Sequence, residues 1–173
     1  MTTSESKTVL VVDDEADVRQ YLTMALEDAG IGVVTAASGT EALAQMKQKV
    51  PDLISLDLVM PKGSGVRFYR ELRKNKDWMK IPVLIVTGHA RDDLGRADLK
   101  ELTMSGSGIY LEKPVKPHSY ISAIKQLLGM DTTDQESETA EQLRVQNELK
   151  NLIDSADPDT LQKLQALIKK QAE

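Results

Sequence analysis

The chain alternates short apolar runs with longer segments in which apolar residues recur at helical spacing. Continuous apolar runs at 9–12, 53–58 and 83–86 are typical of strands that are buried on both faces. Mixed runs at 31–37 and 109–112 predict two further strands. The helical spacing predicts five helices, at residues 18–29, 40–49, 66–76, 91–104 and 117–128. This alternation indicates an α/β protein whose parallel sheet is covered by helices on both faces.

The apolar character of each strand predicts its place in the sheet. Strands that are apolar throughout belong in the middle, and mixed strands belong at the edges. With right-handed crossovers, this favours a doubly wound, five-stranded parallel sheet of order 2-1-3-4-5, which is a flavodoxin-like arrangement. In that order the chain reverses direction between strands 1 and 3, where open α/β sheets place their sites.

Three carboxylates are predicted to meet at this point of the sheet. Asp13 and Asp14 follow the first strand, and Asp57 interrupts the end of the third. Two ionised carboxylates ~4 Å apart repel each other by ~4 kcal/mol at an effective dielectric constant of ~20. Either some of them are protonated or a cation lies among them. Oxygen ligands with no His or Cys nearby favour Mg²⁺.

Two further polar side chains follow the neighbouring strands. Thr87 ends the fourth strand, and Lys113 follows the fifth. A cation, an ammonium, a hydroxyl and a carboxylate oxygen in one crevice suit phosphoryl transfer. In this interpretation Asp57 is the nucleophile, and Lys113 and Mg²⁺ balance the charge of the transferred group.

These positions resemble, in type, order and spacing, the receiver domain of bacterial two-component response regulators, over roughly residues 6–129. The residues that carry the resemblance are Asp13-Asp14, Asp57, Met60-Pro61, Gly65, Thr87 and Lys113-Pro114.

The resemblance implies a phosphorylation switch. It implies that Asp57 accepts a phosphoryl group from a sensor histidine kinase or a phosphotransfer protein. It implies that Asp13, Asp14, Asp57 and the main-chain carbonyl of Val59 hold Mg²⁺, and that Lys113 pairs with the phosphoryl group. Thr87 and Tyr110 would then switch conformation, which repacks the face made by the helix at 91–104, the fifth strand and the helix at 117–128.

Two features depart from compact members of that family. Twenty-five residues separate Thr87 from Lys113, with the extra length near the Ser-Gly-Ser-Gly segment at 105–108. The family tunes its self-dephosphorylation through the positions that correspond to Val59 and His89. Because Val59 cannot hold an attacking water molecule, we expect a fairly long-lived phosphoryl group.

The composition changes after Gly129, which divides the chain into a receiver domain at 1–129, a linker at 130–138 and a two-helix extension at 139–173. The segment Thr139-Ala-Glu-Gln142 fits a helix capping box, and Leu143 and Leu149 would lie on the apolar face that follows. Asp157-Pro158 predicts the start of a second short helix. Residues 130–173 hold ten acidic and five basic side chains, so this segment carries a net charge of −5.

The overall composition excludes several classes of function. The chain of 173 residues has no cysteine, so disulfides and thiol chemistry are absent. The net charge of −5 gives no general basis for binding nucleic acid or an anionic membrane. No apolar run approaches the ~20 residues of a membrane span, and we expect a cytoplasmic protein.

Three outcomes stay open at this point. The leading one is a switch, not a classical enzyme, that signals to a downstream protein and has no DNA-binding output. It would act through the tail, through the face around the fifth strand, or through both, and either surface could form a homodimer. The second is a non-switching scaffold that acts through the C-terminal helices. The third is a phosphatase that forms an acyl phosphate, but that class needs a second Asp where this chain has Val59.

Overall fold

A computed structural model describes residues 6–88, 110–155 and 157–163. The strands are β1 (Thr8–Val12), β2 (Gly32–Ala36), β3 (Leu53–Leu56), β4 (Val83–Thr87) and β5 (Tyr110–Glu112). The helices are α1 (Ala16–Asp28), α2 (Gly39–Gln48), α3 (Ser64–Lys74), α4 (Pro117–Leu128) and α5 (Asp134–Ser155). A single 3₁₀ turn at Pro61–Gly63 leads into α3.

The five strands form one parallel sheet of order β2-β1-β3-β4-β5, which confirms the predicted fold. Successive residues of a strand point to opposite faces, so each apolar central strand contributes to two cores. Leu10 and Val12 lie in the core beneath α2 and α3. Val9 and Val11 lie in the core beneath α1 and α4. The continuous apolar runs therefore reflect burial on both faces.

The third strand is shorter than its apolar run. It ends at Leu56, although the run predicts a strand to residue 58. Asp57 is thus the first residue beyond the strand, and its N–H donates to the carbonyl of Val12 across the sheet, 2.9 Å away. This backbone bond places the third-strand carboxylate beside the end of β1.

The C-terminal helix begins earlier than the sequence pattern suggests. We expected a linker to residue 138 and a capping box at Thr139. The predicted capping box is wrong, because Thr139 lies inside the helix. Helix α5 starts at Asp134 and runs for 22 residues. Its capping box pairs Thr133 with Glu136: the Glu136 N–H donates to Thr133 Oγ1 at 3.2 Å, and the Thr133 N–H donates to Glu136 Oε2 at 2.8 Å.

The apolar face of α5 also differs from the prediction. Leu143 packs against the core beneath α1 and α4, but Leu149 is 53% exposed. The predicted start of the next helix is confirmed: residues 158–163 are helical, and Asp157 Oδ1 accepts a hydrogen bond from the Thr160 N–H at 2.9 Å. The predicted helix at 91–104, the segment at 105–108, His89 and residues 164–173 lie outside the described residues.

Candidate functional site

Three carboxylates converge at the carboxyl ends of β1 and β3. Asp13 and Asp57 are almost fully buried, with 1% and 3% of their surfaces exposed, whereas Asp14 is exposed. One oxygen atom from each of the three lies within 4.8 Å of the other two. Among the described residues this group consists of carboxylates alone, which is the kind of ligand set that suits a hard cation such as Mg²⁺.

The two oxygen atoms of Asp57 have different environments. Oδ1 accepts hydrogen bonds from the Val59 N–H and from the Thr87 hydroxyl, both at 2.9 Å. Oδ2 lies 2.9 Å from Lys113 Nζ. The carboxylate is therefore held in one orientation, and its Oδ2 is the oxygen that faces the ammonium group.

Lys113 contacts three carboxylates at once. Its Nζ lies 2.8 Å from Asp13 Oδ2, 2.9 Å from Asp57 Oδ2 and 3.0 Å from Glu15 Oε1. Burial by itself lowers the pKa of this ammonium, but the three carboxylates outweigh burial and raise the pKa above its usual value. The group is therefore charged at neutral pH. The peptide bond that follows it, Lys113-Pro114, is cis.

The ionisation of Asp13 reflects opposing influences. Burial raises the pKa of its carboxyl group, while Lys113 and the Glu15 N–H lower it, and the net shift is upward. The Glu15 N–H donates to Asp13 Oδ1 at 2.9 Å. One ammonium thus faces Asp13, Glu15 and Asp57, with Asp14 nearby, so among the described residues acidic groups outnumber basic groups at this point. A divalent cation fits this excess of negative charge.

Glu15 is a site residue that the sequence analysis did not single out. It is the N-cap residue of α1, and its carboxylate meets Lys113 from 98 positions away in the chain. The sequence offered one sign of it, since Glu15 continues the acidic run Asp13-Asp14. Nothing local to Glu15 indicates Lys113 as its partner.

Of the remaining predicted residues, some contact Asp57 and one lies further along β5. Thr87 is 1% exposed and contacts Asp57 directly. Tyr110 is half-buried on β5 and is paired in register with Ile85. Val59 contacts Asp57 through its N–H, and the role of its carbonyl stays a prediction. The switching movements of Thr87 and Tyr110 also stay predictions.

An open cavity of about 560 Å³ lies beside Lys113. It is bordered by α1 and by the segment after β5, and Tyr21 links the two through a 3.0 Å hydrogen bond from its hydroxyl to the Val115 carbonyl. The cavity gives solvent and other molecules access to the side of the site on which Lys113 lies.

Comparison with known proteins assigns this arrangement to a family. Residues 9–125 match the family described as the response regulator receiver domain. The phosphate regulon transcriptional regulatory protein PhoB of Pseudomonas aeruginosa is 33% identical over 122 residues, which cover 70% of this chain and 52% of that protein. A 14.6 kDa protein of Leptolyngbya boryana is 33% identical over 73% of this chain and 93% of its own length.

Solved structures give the same assignment. The chemotaxis response regulator CheY4 of Vibrio cholerae superimposes with a TM-score of 0.61 and 30% identity, covering 70% of this chain and 98% of that one. The chain spans about half the length of the transcriptional regulators that it matches. None of the helices in the described part of the chain combines the length and apolar character that crossing a bilayer requires.

Proposed function

The chain belongs to the family of response regulator receiver domains, and we propose that it is a phosphorylation-activated switch in which Asp57 accepts the phosphoryl group. The observation that carries this proposal is the placement of Asp57. Its Oδ1 is held by Thr87 and the Val59 N–H, and its Oδ2 faces Lys113 at the edge of the crevice.

The chemistry follows from that placement. Asp57 Oδ2 attacks the phosphorus atom of a phosphohistidine, the P–N bond breaks, and the imidazole leaves as the new acyl phosphate forms. Lys113 balances the charge of the transferred group, and the Thr87 hydroxyl donates a hydrogen bond to one of the oxygen atoms of that group. Mg²⁺, held by Asp13, Asp14, Asp57 and the carbonyl of Val59, would supply the additional positive charge that phosphoryl transfer requires.

The donor and the location form part of the same proposal. A sensor histidine kinase or a phosphotransfer protein supplies the phosphoryl group in the cytoplasm, and the chain acts as an acceptor and not as a turnover enzyme. Loss of the group is slow, because Val59 has no polar side chain with which to hold an attacking water molecule. The receiver domain occupies residues 1–129.

The output that we propose is contact with another protein, without DNA binding. The support is electrostatic: residues 130–173 carry a net charge of −5, whereas DNA binding depends on basic side chains that neutralise phosphates. The face around β5 and the C-terminal helix are the surfaces proposed for this contact, with a downstream protein or in a homodimer.

The experiment is phosphorylation by acetyl phosphate with Mg²⁺, followed by intact mass measurement and peptide mapping. We expect the wild type to gain one phosphoryl group on Asp57 and Asp57→Asn to gain none. Asp28→Asn changes an exposed carboxylate on α1 and serves as the matched control, which should react like the wild type. An unchanged mass, or a phosphoryl group on another residue, contradicts the proposal.

A non-switching scaffold that acts through α5 is the second candidate. The observation that favours it is the pair Val145 and Leu149, which lie one helical turn apart and are each more than half exposed. Such a pair suits a contact with a partner helix or with α5 of a second copy. Asp57→Asn separates the two candidates: a scaffold still binds its partner, whereas a switch loses the regulation of that binding. Light scattering with and without acetyl phosphate tests whether the chain forms a homodimer.

A further inference from the structure

Helix α5 packs against α4 and contacts the edge strand β5 through Asn147. Ala140 is fully buried, Leu143 packs against the core beneath α1 and α4, and Asn147 is only 6% exposed. These three residues are spaced by three and four positions, so they share one face of the helix. A buried, uncharged amide at one end of that face is unusual for a helix that merely shields apolar surface.

Polar contacts fix the position of α5 along this surface. At one end Lys125 Nζ lies 2.8 Å from Glu136 Oε1, and both side chains are 19% exposed. In the next turn Thr139 Oγ1 lies 3.1 Å from His118 Nε2. Two turns further along the helix, Asn147 Nδ2 donates a hydrogen bond to the main-chain carbonyl of Tyr110 at 3.1 Å. The helix is thus attached both to α4 and to the sheet.

Strand β5 connects this attachment to Asp57. The strand has only three residues, and its first residue, Tyr110, is the one that Asn147 contacts. Its last residue pairs in register with Thr87, and the Lys113 N–H that follows donates to the Thr87 carbonyl at 3.1 Å. Within the described part of the chain, Thr87 and Lys113 are the two residues whose side chains hydrogen-bond to the Asp57 carboxylate. One end of β5 is therefore held by the acidic site and the other by α5.

We propose that α5 is a regulated cover, which is docked on α4 and β5 when Asp57 is unmodified and loosened when Asp57 is phosphorylated. This inference rests on the phosphoacceptor role of Asp57. A phosphoryl group on Asp57 Oδ2 competes for the Lys113 ammonium and the Thr87 hydroxyl, and both residues hold the end of β5. Displacement of β5 misaligns the Tyr110 carbonyl with the Asn147 amide, and a buried donor without its acceptor destabilises the docked state.

The surface beneath α5 also indicates the kind of partner that would replace it. It accommodates a helix that presents a small residue, then an apolar residue three positions on, then an amide four positions further, because Ala140, Leu143 and Asn147 have that pattern. The partner is therefore an amphipathic helix that competes with α5 for the same surface. Phosphorylation of Asp57 makes the surface available to it.

Amide hydrogen exchange, measured on the 173-residue chain, tests whether α5 is loosened by phosphorylation. Intact mass first establishes that acetyl phosphate and Mg²⁺ have added the phosphoryl group. We then expect the protection of amides 134–149 to fall about 5- to 150-fold, the range typical of coupling between two sites. Amides of β1 and β3 should keep their protection, and Asp57→Asn should show no change. A phosphorylated chain with unchanged exchange in α5 refutes the cover and leaves the phosphoacceptor role intact, whereas an unchanged mass refutes both.

A pair of variants tests the route through Tyr110. Asn147→Ala removes the amide that contacts β5, and Gln146→Ala makes a comparable change at the exposed neighbouring position. We expect Asn147→Ala to raise the exchange of α5 before phosphorylation and to reduce the further change on phosphorylation, while Gln146→Ala matches the wild type. Equal behaviour of the two variants would show that the contact between Asn147 and Tyr110 does not link α5 to the site.

Discussion

The α-carbon of Gly65 lies directly against the main-chain carbonyl of Asp57. A Cβ atom at Gly65 would collide with that carbonyl oxygen and would lie 2.7 Å from the carbonyl oxygen of Leu58. Both neighbours are backbone atoms, which cannot rotate away as a flexible side chain can. The absence of a side chain at Gly65 therefore allows the first turn of α3 to pack onto the segment that carries the proposed phosphoacceptor.

We expect Gly65→Ala to destabilise the protein and to slow phosphorylation of Asp57. The added methyl group forces α3 away from the Asp57 segment, at a cost of about 1–3 kcal/mol in the free energy of unfolding. Urea unfolding measures the stability, and intact mass over time measures the labelling. Gly88→Ala is the stability control, because the one atom of the described residues within 4 Å of its added Cβ would be Lys113 Cβ, at 4.0 Å. Equal stability of the two variants would contradict this account.

We expect Lys113→Met to lower the free energy of unfolding at neutral pH. Removing the ammonium leaves the buried carboxylates of Asp13 and Asp57 without their positive partner, and loss of one member of a buried ion pair costs about 3–5 kcal/mol. Thermal or urea unfolding gives the value. Lys116→Met, at an exposed position before α4, is the matched control and should stay near the wild type. If added Mg²⁺ occupies the acidic cluster, it should stabilise Lys113→Met more than the wild type.

We expect Thr87→Val to be less stable than Thr87→Ser. Valine keeps the shape of threonine but removes the hydroxyl that donates to Asp57 Oδ1, and a hydrogen bond to a charged group contributes about 1.5–3 kcal/mol. Serine keeps the hydroxyl and loses only a methyl group. Denaturant titration gives the free energy of unfolding of both variants. If Thr87→Val is more stable than Thr87→Ser, the hydrogen bond contributes little to stability.

We expect the contact between Lys125 and Glu136 to stabilise the docked α5 only above acidic pH. The hydrogen bond from Lys125 lowers the pKa of Glu136 below its usual value of 4.5, with a further contribution from the Thr133 N–H. A lowered pKa means that the stabilisation is fully present above the unfolded-state pKa and is lost as the pH falls through the folded-state pKa.

Glu136→Gln tests that pH dependence. Relative to the wild type, the variant should lose about 0.2–1 kcal/mol at pH 7, as expected for a partly exposed ion pair, and the difference should vanish in acid. Urea unfolding at a series of pH values measures it. Glu138→Gln alters an exposed carboxylate two positions away and should follow the wild-type profile. A difference between Glu136→Gln and the wild type that persists in strong acid would exclude the ion pair as its cause.

The sheet and the acidic cluster were predictable because they depend on regular features of the sequence. Strands buried on both faces need continuous apolar runs, and right-handed crossovers then limit the strand order. Asp13 and Asp57 had to meet once β1 and β3 were neighbours, since parallel strands end at the same edge. The predicted end of β3 was less accurate, because Leu58 is apolar and buried although it lies beyond the strand.

The start of α5 shows where local reasoning fails. Thr133-x-x-Glu136 and Thr139-x-x-Gln142 both fit a capping box, and the sequence offers no means of choosing between them. The choice depends on Lys125, which lies on another helix and contacts Glu136. The exposure of Leu149 was missed for a similar reason, because helical periodicity groups apolar residues without indicating which of them has a surface to cover.

By itself, the sequence determined the order of the strands and the approach of Asp13, Asp14, Asp57, Thr87 and Lys113 to one edge of the sheet. The tertiary structure decided which atoms are in contact. Glu15 forms an ion pair with Lys113, the Thr87 hydroxyl donates a hydrogen bond to Asp57 Oδ1, and Asn147 donates one to the Tyr110 carbonyl. The physical reason is the range of the interactions. Apolar periodicity is a local property that repeats along the chain, whereas a single hydrogen bond or ion pair between distant residues depends on side-chain positions that only the packed fold defines.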